Sequence, residues 1–249
     1  MADYDNRVLR GQAGAQAGLY DAGLRAYMLR VYNYMLVGLS LTGVTAWITA
    51  NTAFGALFIQ QTVVNGQLAI GLTGLGLLAL FAPLGLVLFL SFRIQKMSVS
   101  AAQTTFWIYA GLMGISIAPV LLVYTGASVA QVFFITAATF GAMSLYGYTT
   151  GRDLSGFGSF LFMGLIGIII ASVVNMFVHS SMMQFVISVI GVLIFTGLTA
   201  YDTQSIKESY AANDDGTASG RKAVIGALRL YLDFINLFLM LIQLLGNRR

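Results

Sequence analysis

The sequence predicts an all-α integral membrane protein, a bundle of seven transmembrane helices with the amino terminus in the cytoplasm. Composition is the first reason. Of 249 residues, 58% are hydrophobic and 9% charged, and the mean hydropathy is +0.82. A soluble domain carries about 25% charged residues, so this chain has too little polar surface to be wrapped in water. The second reason is that apolar runs of about 20 residues, enough to cross roughly 30 Å of hydrocarbon, recur seven times. The third is that lysine and arginine alternate between successive connections. The 28 glycines fit the same class, because glycine lets membrane helices approach closely.

Residues 1–23, MADYDNRVLRGQAGAQAGLYDAG, are polar and rich in Gly and Ala. They lack the apolar core of a cleavable signal peptide and read as a disordered cytosolic tail, leaving insertion to the first helix. The membrane domain is then 24–249, with spans near 27–50, 68–92, 103–124, 129–149, 158–178, 182–206 and 224–246. The short connection YTGASVAQ makes the third and fourth spans a tight hairpin. No internal repeat is evident, which speaks against an inverted-repeat transporter. Pro83 and Pro119 fall inside spans, where proline removes one backbone bond. Trp47, Trp107 and Tyr124 fall near span ends, where aromatic anchors gather.

Charge sets the orientation. The tail and first turn hold Arg7, Arg10, Arg25 and Arg30; the loop after span two holds Arg93 and Lys96. Arg152 follows span four, and Lys207, Arg221 and Lys222 follow span six, while the other three connections hold no Lys or Arg. By the positive-inside rule the amino terminus is cytoplasmic. Arg248 and Arg249 dissent, since seven crossings place them outside. Either the last segment crosses and tolerates them there, or it is re-entrant; the length of the apolar run after Leu228 favours a full crossing.

Within the expected spans, acidic residues occur at Asp202 and Asp233 only. A mid-membrane aspartate costs about 2.5–3.5 kcal/mol on insertion scales, so its presence calls for a role. Residues three and four apart share a helix face, and from Asp233 that face runs through Arg229, Asn236, Met240 and Gln243. In span six, Ser188, Thr199 and Asp202 fall on one side. With a rise of 1.5 Å per residue, the two aspartates differ in depth by about 6 Å and can be neighbours. Two carboxylates that meet in a low-dielectric site cannot easily both be ionised and titrate as a unit. Ionised, they also suit a hard cation such as calcium, held weakly or in passing. The alternative is purely structural: Asp233 pairs with Arg229 one turn earlier, and Asp202 with the loop lysine or lipid headgroups.

The segments GLTAYDTQSIKE and LRLYLDFINLFLMLIQLLG resemble the paired signature of the Bax inhibitor-1 family (transmembrane Bax inhibitor motif proteins), in its bacterial branch. LRAYMLRVYNYM in span one and GISIAPVLLVY in span three are similar to bacterial members as well, so the likeness covers nearly the whole chain from Leu24. The resemblance implies a seven-helix bundle wrapped around the last helix, a bacterial inner membrane, and a pH-sensitive calcium-leak channel. It implies that Asp202 and Asp233 form the proton-sensing pair and line the ion pathway. It also implies a basic latch at the end of the second helix, where FLSFRIQKMS offers Arg93 or Lys96; arginine can clamp a carboxylate bidentately. Both residues also read as simple topology signals.

Other classes find little support. With no cysteine, disulfides, thiol nucleophiles and thiolate metal sites are excluded, and one histidine, His179, cannot build the usual zinc site. His179 reads as an exposed loop residue and NDDG, 213–216, as a turn. The aspartate contexts do not resemble those of intramembrane proteases, so no enzyme is expected. Span seven lacks an internal lysine for a retinal Schiff base. No basic–aromatic cluster suggests nucleic acid. No cofactor is expected, calcium entering as the permeating ion. The expected partners are the bilayer and, in the competing reading, other membrane proteins that a non-conducting regulator of protease, stress or cell-death pathways would bind. The oligomeric state is left open, a monomer being compatible with the sequence.

Overall fold

The structure, a computed structural model, describes the backbone of residues 2–64 and 67–249 and the side chains of residues 21–60 and 71–249. Seven long helices succeed one another: α1 (Ala2–Asn51), α2 (Gly74–Arg93), α3 (Val99–Val123), α4 (Gly126–Thr149), α5 (Ser155–Val178), α6 (Ser181–Glu208) and α7 (Gly216–Leu245). All seven are long and apolar enough to cross a membrane, α1 through its part Asp21–Asn51. The tail expected over residues 1–23 lies, but for its last three, outside the described side chains. Short connections end cleanly because hydroxyl and carboxylate side chains cap the following helix. Ser98, Thr125, Ser180 and Asp215 accept from the backbone N–H groups of Ala101, Ser128, Met183 and Ala218. The NDDG run is thus the entry to α7, and this helix begins well before residue 224.

One element differs from the hydropathy reading. Residues expected to open the second span instead form a strand, β2 (Gln67–Leu72), paired antiparallel with β1 (Ile59–Val64). The register pairs Val64 with Gln67, and in the sequence Asn-Gly between β-prone runs is a strong short-range hairpin signal.

α7 is the core. Two-thirds (67%) of its apolar window is buried, against 17% for α5, and it packs on α1, α3, α4 and α6. α2 leans chiefly on α3, and α5 on α6. Glycines bring the inner helices together. A Cβ on Gly147 would lie 2.1 Å from the carbonyl oxygen of Ala200, so α4 and α6 touch backbone to backbone there. Buried hydroxyls stitch the same helices: Tyr32 Oη meets Ser144 Oγ at 2.6 Å, Ser144 Oγ meets Thr203 Oγ1 at 2.9 Å, and Thr203 donates to the Thr199 carbonyl at 2.7 Å.

Pro83 sits inside α2 and leaves the carbonyl of Ala79, four residues earlier, without its helical donor. Ser116 on α3 supplies one, Oγ to Ala79 O at 2.5 Å. No water in the bilayer core can replace it. Ser116→Ala is expected to destabilise the bundle by about 1–2 kcal/mol, read as a lower melting temperature in detergent, with Ser116→Thr restoring most of the loss.

The chain's end settles the last crossing. Thr125 N donates to Asn247 O at 3.0 Å, Arg249 N to Val123 O at 2.9 Å, and Asn247 N to Ser128 Oγ at 2.9 Å. The terminus is therefore fastened to the α3–α4 turn, at the far end of the bundle from the α6–α7 loop. α7 crosses fully, and Arg248 lies over the Tyr124 ring at 5.9 Å. Tyr124 is buried beneath this strap (5% exposed) and is not the interface anchor its position suggests, whereas Trp47 is 60% exposed.

Candidate functional site in the α5–α6–α7 cavity

α5 approaches α7 only loosely, and the space between them is a cavity of about 850 Å³ walled by α5, α6 and α7. Its floor is the polar stripe of α7: Arg229, Asp233, Asn236 and Met240, with Leu232 between them. α6 contributes Asp202 and Tyr201. The helix spacing that puts Asp233 and Asn236 on one face thus points them away from lipid and into a shared chamber.

The structure brings Asp202 and Asp233 together. Asp233 is 4% exposed, and its carboxyl group lies within hydrogen-bonding reach of Asp202. An ionised carboxylate only accepts, so two ionised carboxylates so placed would repel each other. The remaining oxygen, Oδ2 of Asp233, is buried with no hydrogen-bond partner. Arg229 acts on both carboxyls through space but does not clamp either. Among the described residues the ion pair formed is Lys222 with Asp214, at 2.6 Å. A plain Arg229–Asp233 pair is therefore not what holds the aspartate. Asn236 donates its amide to Leu232 O at 2.9 Å, which leaves its side-chain oxygen as an acceptor beside the carboxyls. Among the described residues no three His, Cys, Asp or Glu side chains converge.

The other residues singled out lie elsewhere. Thr199 is fully buried and donates to Phe195 O at 2.8 Å, turned away from the cavity. Arg93 and Lys96 are both exposed at the end of α2, and neither lines the cavity. His179 is an exposed cap of α5, held in the left-handed region at φ 53°.

Sequence reasoning missed two parts. One is α5, whose Ser159 and Ser172 line the chamber; hydroxyls thirteen residues apart on the most apolar helix were the available signal. The other is an amide lock toward the opposite end of α7. Gln184 Nε2 donates to Gln243 Oε1, which also accepts from Ser188 Oγ at 2.9 Å. Asn175 Nδ2 donates to Gln184 Oε1 at 3.1 Å. The lock extends the polar stripe of α7 and ties α5, α6 and α7 together beyond the cavity.

Comparison with known proteins agrees with this architecture. A family model described as Inhibitor of apoptosis-promoting Bax1 matches residues 24–249. The inner membrane protein YbhL of Escherichia coli is 48% identical over 230 residues, 92% of this chain and 94% of that one. A protein of Rickettsia prowazekii is 48% identical over 230 residues, 92% and 93% of the two chains. One of Caulobacter vibrioides is 44% identical over 253 residues and the whole of both. With seven apolar helices and such relatives, this is a multi-pass protein of a bacterial inner membrane. The match begins at residue 24 and runs through both aspartate segments to the last residue, and the chain belongs to the Bax inhibitor-1 family.

Proposed function

We propose that the protein is a passive, pH-sensitive cation leak pathway, with calcium as the ion the family likeness implies and the Asp202–Asp233 pair as its proton-operated gate. The observation that carries this reading is the meeting of two carboxyl groups inside a membrane-embedded cavity. A proton shared between them and a cation bound by them compete for the same oxygens. Protonation removes the charge that draws a cation; loss of the proton sets two negative charges side by side and favours a cation between them. Arg229 tempers that charge without cancelling it, because it forms no ion pair with either carboxylate. For ions to cross, the amide lock of Asn175, Gln184 and Gln243 must part. Amide–amide bonds of about 1 kcal/mol each make such a gate cheap to open.

The test is calcium entry into liposomes carrying the purified protein, followed with an entrapped dye between pH 5 and 8, beside Asp202→Asn and Asp233→Asn. The expected result is a leak whose pH dependence either substitution removes. Absence of flux at every pH from protein shown to be folded overturns the channel reading. It would turn attention to membrane-protein partners.

A further inference from the structure

A second cleft opens between α2 and the first half of α7. It encloses about 380 Å³ and is lined on α7 by a stripe at helical spacing that includes Arg221, Ile225, Leu228 and Arg229, and on α2 and its exit by Val87 and Gln95. Among the described residues no carboxylate lines it. The charge of Lys222, which also borders it, is taken up by Asp214 at 2.6 Å. Neither arginine is held in an ion pair among the described residues, although Arg229 also acts through space on Asp202 and Asp233. Arg221 uses Nε on the Met97 carbonyl at 2.7 Å, a bond that does not occupy its terminal amines. Gln95 is exposed and makes no hydrogen bond to the protein that would occupy its amide. The cleft is amphipathic along its length, with donors and positive charge on an otherwise apolar wall at the ends of two membrane helices.

We propose that this cleft holds an anionic phospholipid, its phosphate on Arg221 and Arg229 and an acyl chain along Val87, Ile225 and Leu228. Charge complementarity argues for that occupant: guanidinium forks match phosphate oxygens, and basic pockets between membrane helices at this level bind anionic lipid heads. A zwitterionic lipid brings an ammonium group that has no carboxylate to meet in the cleft. Arg229 borders both this cleft and the α5–α6–α7 cavity, but occupancy of the cleft is read by binding and not by flux, so the proposal stands or falls without the leak pathway.

The test is native mass spectrometry of the full chain released from non-ionic detergent with phosphatidylglycerol, with phosphatidylcholine of the same acyl chains, or with inorganic phosphate. One phosphatidylglycerol per chain is expected to be retained, about tenfold more strongly than phosphatidylcholine. The double variant Arg221→Gln/Arg229→Gln is expected to lose that preference. Arg221→Lys/Arg229→Lys should keep most of it, and Arg152→Gln, which removes a charge from another loop at the same end, should keep it in full. Circular dichroism of each variant establishes that it is folded. Equal retention of the two lipids, a preference that survives in the glutamine pair, or displacement of the lipid by phosphate alone overturns the proposal; the last outcome would make the cleft a free-anion site.

Discussion

Tyr231→Ala is expected to cost the folded bundle about 3–5 kcal/mol, the range for deleting a large buried aromatic ring. Tyr231 is fully buried on α7, where its ring stands edge-on to Tyr109 at 5.5 Å and Phe106 at 5.7 Å. Its hydroxyl meets Thr42 Oγ1 at 2.6 Å, and Thr42 is itself 2.8 Å from the Ala110 carbonyl. Thr42 Oγ1 also lies 3.0 Å from the Gly38 carbonyl; its one proton goes to a carbonyl, so Tyr231 donates to Thr42. One side chain thus joins α1, α3 and α7. In a membrane, burial from water does not drive helices together; close packing and hydrogen bonds do, and alanine here removes both. The check is a thermal melt in detergent. Tyr231→Phe keeps the rings and should lose only about 0.5–1.5 kcal/mol. Adding Thr42→Val to Tyr231→Phe should then cost less than the sum of the two alone, because they share one bond. Additive losses would show that the hydrogen bond does not form.

Much of this architecture was legible from hydropathy alone, because a span in lipid must satisfy its own backbone and so appears as one uninterrupted apolar run. The interior acids were legible for a related reason. An aspartate such as Asp233 is too costly to face lipid, so its helix phase announced which side of α7 turns inward. What hydropathy blurred were features of near-neutral polarity. Gln67–Leu72 is apolar enough to be absorbed into a span, although the Asn-Gly preceding it signals a turn. The early start of α7 was hidden because Gly216–Ala223 is polar, and only its cap, Asp215, marks it. The α5 wall was harder still. Ser159 and Ser172 acquire meaning only once α5 is seen to lean on α6 and leave α7 uncovered. The lock of Asn175, Gln184 and Gln243 joins three helices, and no spacing within one helix reveals a bond between two. Tyr124 misled because a span-end aromatic is more often an anchor than a lid over the chain's own terminus.

A leak pathway must be wet, and the absence of cysteine from the chain makes that directly measurable. Ser172→Cys would place the protein's single thiol on the α5 wall of the cavity, about one turn from Asn175 of the amide lock. Thiols react as thiolates, which form readily in water and hardly at all in hydrocarbon. A cationic, membrane-impermeant thiol reagent added to proteoliposomes is therefore expected to modify Ser172→Cys, and to do so faster at a pH where the leak is large. The attached charge and bulk should then reduce calcium flux by about tenfold or more, since an unpaired cation held beside a pathway in low dielectric repels the permeating one. Leu193→Cys supplies the contrast. Leu193 lies on α6, 68% exposed to the surroundings of the bundle and outside the cavity lining, so its thiol should face lipid and stay unmodified. If both thiols remain unmodified while the protein leaks calcium, the ions do not use this chamber, and Asp202 and Asp233 act on the pathway from outside it. If Ser172→Cys is modified but flux is unchanged, the chamber is a water-filled pocket beside the route. Only modification together with block places the paired carboxyls on the path that the ion itself takes.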